Sequence, residues 1–229
     1  MNSMRMHWVN CLAAFGLVVG LTAGFMGASV AQSVAGQAYS TYVNTPAASS
    51  GQAPLAVLPA VSGTDGAEAD AQGSALSVPD ALSSDFLNSI TSGEIGTTES
   101  GAQSTASAAH INILNGLITA DEVIANVMSR STASGAASNA DGSTFQNLVV
   151  AGVPVTWGDD VVAPNTNMDL PGVGYVVLNE QIPSGDGVTS SGMTVNMIHV
   201  YLQSAGGLLG GATTTGEIIV GSASSSVGP

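Results

Sequence analysis

Apolar and polar positions alternate most clearly from Thr194 through Val195, Asn196, Met197, Ile198, His199, Val200 and Tyr201 to Leu202. A period of two marks a β-strand, and the run becomes apolar on both faces towards its end, which predicts a central strand. Short β-branched runs of the same texture recur at His110 to Thr119, Glu122 to Arg130, Phe145 to Val150, Val153 to Trp157, Gly174 to Gln181, Met193 to Gln203 and Glu217 to Ala223. Turn formers separate them: Asp141-Gly142, Ala151-Gly152, Pro164-Asn165, Pro171-Gly172, Pro183 to Gly187 and Gly206 to Gly211. Regular short strands with such punctuation predict an all-β fold, an antiparallel β-sandwich over residues 110–224 in jelly-roll or Ig-like order, with 225–229 as a C-terminal tail. A stretch of ~115 residues suffices for one sandwich core.

Residues 32–109 have a different texture, rich in Ala, Ser, Gly, Thr and Gln with few large apolar groups. Such a composition buries too little surface to offset backbone ordering, so it predicts a disordered, flexible spacer. One interruption falls within it. Ser77 and Asp80 are spaced as a helix cap, Pro79 suits a first turn, and Val78, Leu82, Phe86 and Ile90 fall on one helical face. Together they predict a short helix over 78–90.

The first 31 residues form a third texture. Arg5 precedes an apolar run from Cys11 to Met26, and small residues follow, with Ser29 and Ala31 placed for cleavage. This predicts a secretory signal peptide, Met1 to Ala31, and a mature chain that is secreted and extracellular or associated with the cell surface. The run is short for a spanning helix of ~20 residues, so no transmembrane anchor is expected after cleavage. Removal of Cys11, the single cysteine, excludes disulfides, thiolate metal sites and cysteine nucleophiles. An exported chain without cystine points to a bacterial source.

Charge narrows the partners. Sixteen carboxylates face two arginines and no lysine in the whole chain, and only Arg130 lies beyond the leader. Binding a phosphate backbone needs several basic side chains, so nucleic acid is excluded, and adsorption to anionic lipid is disfavoured. The absence of lysine also removes Schiff-base chemistry.

Candidate chemistry is thin beyond the leader. His110 and His199 are its two histidines, and no G-x-S-x-G elbow or helix-borne histidine pair is present. His199, between Ile198 and Val200 in mid-strand, reads as a packed histidine. Asp159, Asp160, Asp169, Glu180 and Asp186 could furnish a carboxylate-based glycoside hydrolase. Calcium is a more physical use of Asp159, Asp160 and Asp169, since it takes six to eight oxygen ligands. No segment follows a calcium-loop pattern, however, and no resident cofactor is expected. The amides of Asn179, Gln181 and Asn196 read as register-fixing groups, with a glycan groove that stacks sugars on Trp157 or Tyr201 as the functional alternative.

Five segments carry a resemblance to a known family: Asn112 to Ala120, Phe145 to Val155, Val176 to Gln181, Thr194 to Val200 and Glu217 to Ala223. In this order they resemble the extracellular domain of bacterial choice-of-anchor P proteins. The resemblance implies an exported β-domain at the surface or in the matrix, with no established activity. The chain ends at Pro229 without an apolar tail or sorting signal, a departure from anchored members of the family.

The expectation is therefore a secreted, non-enzymatic structural or interaction protein whose partner is an envelope or matrix component or itself. A calcium- or glycan-dependent binding module is the alternative, and a carboxylate-based glycoside hydrolase the less favoured one.

Overall fold

The computed structural model describes residues 32–61, 63–204 and 211–229. The signal peptide expected over Met1 to Ala31, and the expected turn from Gly206 to Gly211 except for Gly211, lie outside the described residues. The strands are β1 Ser33–Asn44, β2 Ser49–Val57, β3 Ala67–Val78, β4 Leu82–Ile95, β5 Glu99–Ile113, β6 Ile118–Thr132, β7 Gly135–Asn139 and β8 Thr144–Gln146. They continue as β9 Val149–Val150, β10 Val153–Pro154, β11 Asp159–Asp160, β12 Thr166–Leu170, β13 Gly174–Gly185, β14 Ser191–Ser204 and β15 Thr213–Gly228.

They form an antiparallel sandwich, as the alternation predicted. One sheet has six strands in the order β12-β13-β14-β15-β1-β2. The other has nine and is built on the meander β6-β5-β4-β3. Short strands β7, β8 and β9 share the free edge of β6, at Met128 to Thr132, Glu122 to Ile124 and Ile118 to Thr119 respectively. The order left open between jelly-roll and Ig-like resolves into two meanders, β3 to β6 in one sheet and β12 to β15 in the other, with the β1–β2 hairpin added to the second through a non-consecutive pairing. In that pairing β1 lies along β15 from Ser33 opposite Gly228 to Asn44 opposite Glu217.

Three expectations from the sequence are corrected. Residues 32–109 are not a spacer: they contain β1 to β4 and most of β5, parts of both sheets. The 78–90 segment is not a helix, because Val78 ends β3 and Leu82 begins β4 across a tight turn in which the Ala81 amide bonds the Val78 carbonyl. Asp80 takes a φ of 59° there, next to Pro79, which suits a turn and not a helix. Residues 225–229 are not a loose tail, since Ser225 to Gly228 pair with Gly36 to Ser33.

Composition explains these corrections. At one end the core is conventional, with Ile113, Ile118, Phe145, Leu148, Leu170, Leu178, Met197 and Ile218 buried. At the other end it is built from small side chains. There β5 turns Ala102, Ser104, Ala106 and Ala108 inward, and Ser40, Ser89, Thr91, Ser129 and Ser225 are buried around them. Small residues bring the sheets close enough for side-chain hydrogen bonds to cross between them. Ser40 and Ser89 hydroxyls lie 3.1 Å apart, Ser129 and Ser225 2.7 Å, and Ser138 and Ser191 2.9 Å. Each such bond is worth about 1 kcal/mol net, and leaving one partner unpaired costs more.

Candidate functional site

The densest polar cluster lies on the outer face of the six-stranded sheet, where β13, β14 and β15 run side by side. Register builds it in ranks. Glu180 pairs with Asn196, which pairs with Ser222; one step along, Tyr175 pairs with Tyr201, which pairs with Glu217. His199 stands between the ranks, opposite Val177 on β13 and Ile219 on β15.

Glu180 is the hub. Its Oε2 lies 2.7 Å from His199 Nδ1 and accepts Asn196 Nδ2 at 2.8 Å, while its Oε1 accepts the Tyr201 hydroxyl at 2.9 Å. His199 Nε2 lies 3.1 Å from Glu217 Oε2. The imidazole thus bridges two carboxylates on the strands either side of its own. A doubly protonated ring donates to both, whereas either neutral tautomer serves only one. Asn196 completes the chain by accepting the Ser222 hydroxyl at 2.7 Å.

Burial alone would raise the Glu180 carboxyl. Donation from His199 and Asn196, the charge of His199 and donation from Tyr201 outweigh it and hold the group at about 2. Burial, with the neighbouring Glu180 carboxylate, pushes the Tyr201 hydroxyl well above its ordinary value. Burial also raises Tyr39 on β1, against hydrogen bonds with Ser222 and Gln52.

The rings stand in a row. Tyr175 and Tyr201 stack with centroids 4.7 Å apart, and Tyr201 and His199 stack at 3.9 Å. Both faces of Tyr201 are therefore covered by neighbours, and it offers no open platform to a sugar.

The expected site residues are dispersed. Asp159 and Asp160 form β11, exposed, on the nine-stranded sheet. Asp159 Oδ1 accepts the Gln146 amide at 3.1 Å, and Asp160 Oδ1 accepts the Val161 backbone amide at 2.8 Å. Asp169 lies on β12 of the six-stranded sheet, opposite Tyr175 and so beside the aromatic row. Among the described residues no group of three or more His, Cys, Asp or Glu is arranged to hold a metal ion.

Asp186 serves the β13–β14 turn. Its carboxylate accepts the backbone amides of Ser190, Val188 and Thr189 and the Thr189 hydroxyl, all within 3.0 Å. These bonds, the Ser190 amide foremost, hold it well below the usual carboxylate range. His110 lies 3.6 Å from Asp85 and packs obliquely near the exposed Phe86, at an irregularity in the β4–β5 pairing.

The amides behave as the pattern in the strands indicated. Asn179 is buried, donates to the Val162 carbonyl at 2.7 Å and accepts from Gln181 at 3.1 Å. Sequence alone showed Glu180, His199, Asn196 and Tyr201 as separate positions. Their convergence depends on the pairing of β13 with β14, and Glu217 enters only through the pairing of β14 with β15.

No protein-family model, no curated protein and no solved structure matches the chain. Among the described residues no helix is long and apolar enough to cross a membrane.

Proposed function

We propose that this chain is a secreted, non-enzymatic structural or interaction protein of a bacterial cell surface or extracellular matrix, as its resemblance to choice-of-anchor P proteins implies. Saturation of the polar groups carries the reading. Three side chains donate to Glu180, both ring nitrogens of His199 face carboxylates, and three backbone amides donate to Asp186. Catalytic acids and bases need an open coordination position for substrate. Here the groups with strongly shifted acidity tie strands and turns together.

Fractionation of the producing cells and imaging of the purified protein test this. The protein is expected in the surface or matrix fraction, bound to an envelope component or to itself. A monomer found only free in the medium and retained by no envelope preparation would sink the reading. Turnover on a glycoside panel that disappears in Glu180→Gln would replace it with the hydrolase.

A glycan-binding role is the second reading, and the exposure of Trp157 favours it, at 80% of the residue's surface.

A further inference from the structure

Trp157 is the most exposed large apolar side chain among the described residues, and it sits on a firmly held turn. The Gly158 amide donates to Asn147 Oδ1 at 2.8 Å, and the Asn147 amide reaches the Gly158 carbonyl at 3.3 Å. On the other side Leu148 donates its amide to Thr156 Oγ1 at 2.9 Å, and Thr156 its own to the Leu148 carbonyl at 3.3 Å. The segment on either side of the indole is thus tied to the 146–148 segment, and the ring is displayed in water by a rigid backbone. An indole contributes a large apolar area whose exposure is unfavourable, so a displayed ring of this kind has binding energy to give.

Its surroundings are acidic. Asp159 and Asp160 follow within three residues, and Asp121 is joined to the turn through Asn147, whose Nδ2 donates to Asp121 Oδ2 at 2.7 Å. The single strong base of the described residues, Arg130, is paired with Glu99 on β5. A concavity of about 460 Å³ continues the surface beyond Val161, lined by Asn139, Asp141, Ser143, Gln181 and Met193. Val161 is four residues from Trp157, no more than about 14 Å at full extension, so a short oligomer can reach both. Val161 and Val153 are themselves exposed.

We propose that Trp157 and the groove beyond Val161 bind an amine-bearing polysaccharide. The apolar C–H face of a sugar ring packs on the indole, and its ammonium group is attracted both by the ring face and by the flanking carboxylates. Charge complementarity selects this occupant. A uronate polymer would be repelled by Asp121, Asp159 and Asp160, as would an anionic lipid surface. A neutral polymer would leave the negative charge of these carboxylates, whose hydrogen-bond partners are all neutral amides, uncompensated. The proposal deepens the extracellular reading above and rests on it.

Calorimetric titration of the purified full chain tests it, with hexamers of β-1,4-linked glucosamine, glucose and glucuronate as probes. The glucosamine hexamer is expected to bind, the glucose hexamer at least about tenfold more weakly, and the glucuronate hexamer not at all. Trp157→Ala should weaken glucosamine binding by about tenfold or more, and Trp157→Phe by less. Asp159→Asn combined with Asp160→Asn should cost a similar factor and flatten the salt dependence. Because these side chains are exposed, an unchanged melting temperature separates loss of binding from loss of fold. Equal affinity for the glucose hexamer, or indifference to Trp157→Ala, overturns the proposal. Trp157-dependent capture of a lysine-rich peptide with no glucosamine binding does so too, and assigns the surface to a basic protein. Localisation by fractionation does not depend on Trp157, so this inference can fail while the extracellular reading stands.

Discussion

Glu180 concentrates the electrostatics of the outer face. Its carboxyl titrates at about 2 in the folded chain, against an ordinary value near 4.5. A depressed folded value stabilises the protein above the unfolded value, and that stability is lost as pH falls through the folded one. The urea midpoint should therefore drop between pH 4.5 and 2. Glu180→Gln should flatten this drop and lower stability at neutral pH by about 1–2 kcal/mol, after allowing for solvent screening. A variant with the wild-type pH profile would place the acid sensitivity elsewhere. Gly221 offers a steric counterpart. It adopts a φ of 68°, and a Cβ there would stand 2.9 Å from Val123 Cγ1 in the facing sheet. Gly221→Ala should cost about 1–3 kcal/mol, read as a lower melting temperature, from strain and overpacking together. Sequence revealed the chemical types at this scale but not their meetings. His199 was legible as a packed strand histidine, whereas its two carboxylate partners lie 19 and 18 residues away and are joined to it only by register.

Among the elements, β14 was the most legible, because Val195 and Met197 alternate with Thr194 and Asn196 at a strand period and large apolar groups continue at Ile198 and Val200. In the first two thirds of β5, by contrast, the inward positions include Ala102, Ser104, Ala106 and Ala108, and a count of large apolar groups finds none of them. Their small size is the device that lets the sheets approach. The same blindness produced the helix at 78–90. A spacing of four suits one helical face, but four is also an even number, so Val78, Leu82 and Ile90 suit a strand face equally well. Pro79 and Asp80 decide the matter as turn residues. Since β1 to β4 complete both sheets, residues 110–229 alone lack β1, one of the two partners of β15, and most of the meander of the second sheet. That fragment should not fold. Its amide proton spectrum should show the narrow dispersion of an unfolded chain, where residues 32–229 give a dispersed β spectrum.

Across the whole molecule, the acidic residues are distributed between two sheets instead of converging. Asp159 and Asp160 belong to one sheet and Asp169 to the other. Calcium should accordingly leave the melting temperature unchanged; a rise on adding calcium, abolished in Asp159→Asn with Asp160→Asn, would establish a site after all. The sandwich also places the start and the end of the described chain side by side, with the Ser33 hydroxyl donating to the Gly228 carbonyl at 3.0 Å. β15 is an interior strand, between β14 and β1, and it packs against β5 and β6 of the facing sheet. In a chain emerging residue by residue from a ribosome, β1 can pair with β2 at once, but its other edge waits for β15, the last strand of the described residues. Closure of the six-stranded sheet is thus postponed by topology until β15 arrives to join β14 to β1.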